Sequence, residues 1–264
     1  MNTVHKPMSY GEIAEHWLDF EESPRRVRVT FGGETIADTK HAMLVREAGR
    51  VPVYYFPRAD VRTDLMTPTD RHTRCPYKGD ASYWNVSAGG KTAENAVWSY
   101  LDPKADARDI AGYMSFYWNQ MDSWYEEEDE IFVHARDPYK RVDVLNSARH
   151  IQVVLGGETV ADSMSPRLVI ETGHLLRYYL PREDVRVDLL EASPTRSRCP
   201  YKGIASYWSA NINGNRYEDV VWSYELPISE CSKIKDLMCF FNERVDSIIV
   251  DGEVIEIPKT KWSR

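Results

Sequence analysis

Arg74-Cys75-Pro76-Tyr77-Lys78-Gly79, followed by Ala81-Ser82-Tyr83-Trp84, returns as Arg198-Cys199-Pro200-Tyr201-Lys202-Gly203, followed by Ala205-Ser206-Tyr207-Trp208. The offset is 124 (198 − 74), and flanking matches keep it. Gly32-Gly33-Glu34-Thr35 pairs with Gly156-Gly157-Glu158-Thr159, Tyr54-Tyr55 with Tyr178-Tyr179, and Trp98-Ser99-Tyr100 with Trp222-Ser223-Tyr224. A constant offset over such a distance means two tandem copies of one domain, aligned without a net insertion. We place the first repeat domain at residues 1–126 and the second at 127–264, with the acidic run Glu126-Glu127-Glu128-Asp129-Glu130 read as a solvated boundary.

With 42% hydrophobic and 28% charged residues, the composition is that of an ordinary globular protein. A net charge of −8 argues against a nucleic-acid or anionic-membrane partner, since phosphate-bearing surfaces require clustered cations. No apolar run approaches the roughly 18 residues that cross a bilayer. Residues 1–17 carry Glu12 and Glu15 and no signal-peptide core, so a cytoplasmic location is expected. Oligomeric state is left open.

Four cysteines are too few for a disulfide scaffold, and only Cys75 and Cys199 recur; Cys231 and Cys239 belong to the second copy. In Cys75-Pro76-Tyr77-Lys78 a lysine stands where a zinc ribbon would place its second cysteine. None of the seven histidines has a histidine 124 positions away, so no metal and no cofactor is expected. Gly32-Gly33 and Gly89-Gly90 read as hairpin turns with no following helix, unlike a phosphate-binding loop.

The pattern along each copy is mainly β (α+β class), a compact antiparallel domain. Residues 26–29 and 35–38 read as strands around Gly32-Gly33, with Val27 and Val29 alternating against Arg26 and Arg28. Val53-Tyr54-Tyr55-Phe56 and Arg177-Tyr178-Tyr179-Leu180 read as buried strands, each stopped by a proline. Residues 78–86 and 97–101 form a further hairpin, repeated by 204–210 and 220–225. Each copy is expected to finish with one C-terminal helix, since Ile110, Tyr113, Met114, Tyr117 and Met121 follow helical spacing and Ile234, Leu237, Met238, Phe241 and Val245 repeat it. Residues 134–142 (HARDPYKRV) read as a strand or linker that docks the halves; the counterpart at 10–18 differs in sequence.

Polar residues that recur at the offset nominate a site. The Arg-Cys-Pro-Tyr-Lys-Gly string joins a soft nucleophile, two cations and a phenol at a turn shaped by proline and glycine. Lys78 and Lys202, if desolvated, can act as base or nucleophile, or hold an anion as a point charge. Glu47 and Glu171 can supply a general acid or base. A thiol beside Arg74 and Lys78 favours its thiolate form, which makes Cys75 and Cys199 candidate nucleophiles or redox sensors. Arg74, Arg198, Tyr77, Tyr201, Tyr55, Tyr179, Trp84 and Trp208 are the candidate ligand-binding groups. These residues lead to an unknown small anionic or carbonyl-bearing ligand, bound or transformed once per copy or between copies. The alternative is a non-catalytic ligand-binding or interaction module, in which cysteine is buried, proline and glycine shape the turn, and lysine pairs with Glu47. Replacements such as Asp80 by Ile204 and Trp118 by Asn242 suggest that one copy has become structural.

On the Cys-Pro-Tyr-Lys-Gly strings, the Tyr-Tyr-x-Pro-Arg segments and Arg136-Asp137-Pro138-Tyr139, the chain resembles a bacterial family known as domain of unknown function 427. The resemblance covers nearly the whole chain. It implies a mostly β domain of the β-tent kind, often doubled, and carries a loose nucleotidyltransferase-like label. Paired metal-binding aspartates and a phosphate loop, which that label would call for, do not stand in the sequence.

Overall fold

The computed structural model describes residues 16–260, 262 and 263; the readings made on residues 1–15 lie outside them. The chain divides into two compact units between Asp137 and Pro138. Each is built from one seven-stranded and one four-stranded sheet, and every strand pairing is antiparallel.

In the first unit the strands are β1 (Leu18–Glu22), β2 (Val27–Phe31), β3 (Glu34–Thr39), β4 (Met43–Glu47), β5 (Val53–Pro57), β6 (Met66–Cys75), β7 (Gly79–Ala88), β8 (Lys91–Tyr100), β9 (Tyr113–Phe116), β10 (Ser123–Glu126) and β11 (Asp129–Ile131). The large sheet runs β1-β4-β5-β9-β8-β7-β6 and the small one β11-β10-β2-β3. The second unit repeats this with β12 (Val142–Asn146), β13 (Ile151–Leu155), β14 (Glu158–Ser163), β15 (Arg167–Glu171), β16 (Arg177–Leu180), β17 (Leu190–Cys199), β18 (Gly203–Ile212), β19 (Asn215–Ser223), β20 (Met238–Phe240), β21 (Ser247–Val250) and β22 (Glu253–Val254). Its sheets run β12-β15-β16-β20-β19-β18-β17 and β14-β13-β21-β22.

Strand alternation splits the apolar residues into two cores per domain. Val27, Val29 and Ile36 of the small sheet pack against Leu44, Tyr54, Phe56, Val86, Val97 and Phe116 of the large one. The opposite face of the large sheet buries Val45, Tyr55, Ala81, Tyr83 and Tyr100 beneath Ala107 and Ile110 of a connecting turn. Tyr54 and Tyr55 therefore serve different cores although they are neighbours in sequence.

The expected C-terminal helices do not form; among the described residues the only helical pieces are 3-10 turns of three to six residues. The segment is instead a 3-10 turn (Ala105–Ile110), strand β9, and a second turn (Trp118–Gln120). Gly112 between them sits at φ +80°, and its counterpart Asp236 at +59°, so neither can continue a right-handed helix. Strand β9 pairs with β5 on one side and β8 on the other, so its neighbours hold its backbone groups. Apolar residues on both faces suit such a central strand, which is how a helical spacing arose without a helix. No helix among the described residues is long and apolar enough to cross a membrane.

The acidic run is solvated at Glu127, Glu128, Asp129 and Glu130, and only Glu126 departs from that expectation. Strands β10 and β11 form a hairpin whose turn holds Glu127 at φ +53°. Glu126 is buried, accepting from Tyr54 Oη at 2.9 Å and pairing with Arg25 and Arg136 at 3.2 Å each.

Candidate functional site

Strand order puts Lys78 and Glu47 near opposite ends of the large sheet. Lys78 sits in the tight turn between β6 and β7, at one edge, and Glu47 ends β4, next to the other edge strand, β1. The sheet must curl for them to meet, and they do, with Lys78 Nζ donating to Glu47 Oε2 at 2.5 Å. In the second domain Lys202 donates to Glu171 in the same way. Lys78 and Lys202 are only 8% and 9% exposed, so each amine turns inward rather than into solvent. Gly79 and Gly203 follow at φ +106° and +107°, a conformation that favours glycine and aims the lysine under the sheet. A side chain at Gly203 would also press on the Leu226 carbonyl oxygen, 3.1 Å from its Cβ.

Each carboxylate has further basic neighbours. His16 Nε2 donates to Glu47 Oε1 at 2.9 Å, and Arg50 Nε lies 3.7 Å from Oε2. Around Glu171, Lys140 Nζ donates to Oε1 at 2.8 Å, and His174 Nε2 lies 3.0 Å from Lys140 Nζ and 3.4 Å from Glu171. The shorter contact makes His174 Nε2 an acceptor from the ammonium. Lys140 stands 124 residues after His16, and His174 the same distance after Arg50. Sequence comparison for identical residues passes over both pairs, because basic character recurs there while the side chain changes.

Burial by itself would push both carboxyls upward, yet hydrogen bonds from Lys78 and His16 hold Glu47 below the ordinary range. Glu171 is held at about 2, with Lys202 and Lys140 outweighing the same burial. Lys202 is raised above the ordinary amine value even though burial opposes it, because the Cys199 thiol and Glu171 carboxylate favour the ammonium. It therefore acts as a charge and donor, not as a free amine.

Aromatic rings flank both centres. Tyr77 stacks on His16, with centroids 3.2 Å apart, while the Lys140 amine lies 4.7 Å from the Tyr201 centroid. Tyr55 and Tyr179 stand on the inner face and accept from Trp98 Nε1 at 3.1 Å and Trp222 Nε1 at 2.9 Å. Burial pushes both phenols upward, so they are neutral. Cys75 and Cys199 are free and half-buried beside the lysines, and the Lys78 amide donates to Cys75 Sγ at 3.4 Å.

Two repeated pairs of the expected set lie elsewhere. Arg74 and Arg198 are exposed and, one residue before the cysteines, turn to the other face of their strands. Trp84 and Trp208 pack against the core between the sheets, under Arg58 and Arg182 at 5.8 and 5.9 Å. Among the described residues, no three His, Cys, Asp or Glu side chains gather as a metal site would need.

This fold and its twice-built centre define a tandem β protein with one carboxylate–ammonium cluster per domain. The model of the domain of unknown function DUF427 matches residues 19–127 and again 143–251. The chain belongs to that family and carries two tandem copies of its domain. A search of the curated proteins returned no match to it.

Proposed function

We propose that the carboxylate–ammonium centres bind a small anionic or carbonyl-bearing molecule. The observation that supports this reading is the surplus of cations, with two at one largely buried carboxylate in each domain: Lys78 and Arg50 at Glu47, Lys202 and Lys140 at Glu171. A single carboxylate cannot neutralise both, and a partly desolvated positive site attracts anions more strongly than an exposed one. The partner in this reading is a small molecule rather than a polyanion, because a net charge of −8 disfavours polyanions.

The test is a thermal-shift titration with phosphate, acetate and pyruvate on the whole chain. Anions are expected to raise the melting temperature of wild type, and less so that of a His16→Gln, Lys140→Gln variant, which spares the Lys–Glu pairs. Equal shifts in both would end this reading.

A second reading has its own observation: Lys78–Glu47 and Lys202–Glu171 tie opposite ends of a curled sheet together, as a structural clasp does. Under it, anions leave stability unchanged while replacing the lysine lowers it.

A further inference from the structure

Beside the Lys–Glu centres the two domains differ in one feature. In the second, Arg177 opens β16 directly opposite Val169 of β15, so Glu171, two residues further on, is its diagonal neighbour on the same face. Its guanidinium lies 5.4 Å from the Trp222 ring and 5.8 Å from that of Phe241. Glu243, whose side chain is fully buried, clamps it with bonds of 2.7 and 2.8 Å, and Asn242 adds one of 3.1 Å. Arg244 covers Phe241 from 4.0 Å and donates to the Trp262 carbonyl, while Thr260 donates to Glu243. The ring pair is thereby covered: Trp222 is 7% exposed and Phe241 9%.

The first domain builds the same ring pair and leaves off the cover. Trp98 and Tyr117 have centroids 4.7 Å apart at 46°, against 4.5 Å and 54° for Trp222 and Phe241. Val53 replaces Arg177, Asn119 replaces Glu243 and Gln120 replaces Arg244. Val53 faces Val45, so Glu47 and its basic neighbours are again diagonal to it. Trp98, Tyr117 and Val53 are all half-buried. The rim gains polar groups that the second domain lacks: Tyr117 stands in place of Phe241, and Arg71, over the Tyr83 ring at 4.8 Å, in place of Thr195.

We infer that the first domain alone holds a site for a planar aromatic molecule carrying an anionic group, and that Arg177 plugs the equivalent space in the second. The ring lies on the exposed side of the half-buried Trp98, whose neighbour Tyr117 is itself stacked on Tyr83 with centroids 6.5 Å apart. Its anionic group turns toward the basic cluster around Glu47. The second domain seats a planar group of its own, the Arg177 guanidinium, beside the equivalent ring pair. This inference rests on the proposed binding at the basic centre and adds the ligand class and the domain.

The test is calorimetric titration of the full chain with 4-hydroxybenzoate and phenyl phosphate at millimolar concentration, with 4-hydroxybenzamide as the uncharged counterpart. Wild type is expected to bind one aromatic anion per chain and to discriminate against the amide; whichever anion binds better identifies a carboxylate or a phosphate ligand. Val53→Arg should abolish binding. Arg177→Val with Glu243→Asn, which copies the first-domain residues and strands no carboxylate, should raise the count to two. No binding by either anion, two sites in wild type, or unchanged binding in Val53→Arg would each overturn the inference. If Val53→Arg binds normally while His16→Gln does not, the basic centre stands and the aromatic site falls. If Val53→Arg loses binding while His16→Gln keeps it, the aromatic site stands and the basic centre falls.

Discussion

The two carboxylate centres are one design with different basic partners, and the difference separates framework from function. Lysine and glutamate are the same in both, span the same strands and bury to a similar degree. The third group changes from the imidazole of His16 to the ammonium of Lys140, and the ring from Tyr77, 42% exposed, to buried Tyr201. What stays constant is what a curled sheet needs at its seam. What varies is accessibility and proton chemistry, and in both respects the first domain is the more open.

The largest expected effect falls on the constant part. Removing one partner of a buried ion pair costs about 3–5 kcal/mol when the other is left alone; Glu171 keeps Lys140, so Lys202→Met should cost the second domain about 3 kcal/mol, the low end, in denaturant unfolding. Lys78→Met should cost the first domain less, because Glu47 is somewhat more exposed than Glu171 and Tyr77 is open where Tyr201 is buried; an equal or larger loss would break the comparison.

Acid sharpens it next. A carboxyl lowered by folding stabilises the native state above its ordinary value, and that contribution disappears as pH falls through the folded value. For Glu171 the window runs from the ordinary 4.5 down to about 2, worth roughly 3 kcal/mol. Unfolding free energy of the second domain should fall across that window, and Glu171→Gln should flatten the slope. An unchanged slope would show that Glu171 is not the group responsible.

A smaller change is expected from Tyr77→Leu, which removes the stack on His16 and should cost about 0.5–1.5 kcal/mol. Its signature is a change in the His16 imidazole proton chemical shifts as the Tyr77 ring current is lost, followed by NMR; unmoved resonances would dismiss the stack. Least of all should come from Arg62→Ala and Arg186→Ala, whose exposed pairs with Asp64 and Asp188 are alike in both domains. Melting temperatures are expected to stay where they are, and a clear drop in one domain only would expose an asymmetry outside the centres.

Much of this was legible in the residues. Alternating valines and paired glycines located the hairpins, and the repeated Cys-Pro-Tyr-Lys-Gly string located the turn that carries the lysine. The pairing of Lys78 with Glu47 was also readable, because both recur at one offset. Strand β9 was not, since a central strand apolar on both faces imitates helical spacing and only the φ of Gly112 separates the two. Nor was the side on which Trp84 packs, because the alternation of a strand does not say which sheet each face meets. His16 and Lys140 escaped because the physics preserves a positive donor near the carboxylate, and residue identity is a poor proxy for that. Glu126 read as solvent-facing inside its acidic run, although Tyr54, Arg25 and Arg136 hold it in the interior.

The most direct trial of the central claim is a double-mutant cycle on each clasp: Lys78→Met with Glu47→Gln, and Lys202→Met with Glu171→Gln, followed by unfolding of the whole chain. Coupling of about 2 kcal/mol within each pair is expected, larger in the second domain. Additive losses in both cycles would mean that the lysines and carboxylates do not act together, and the centre described here would not exist as a unit.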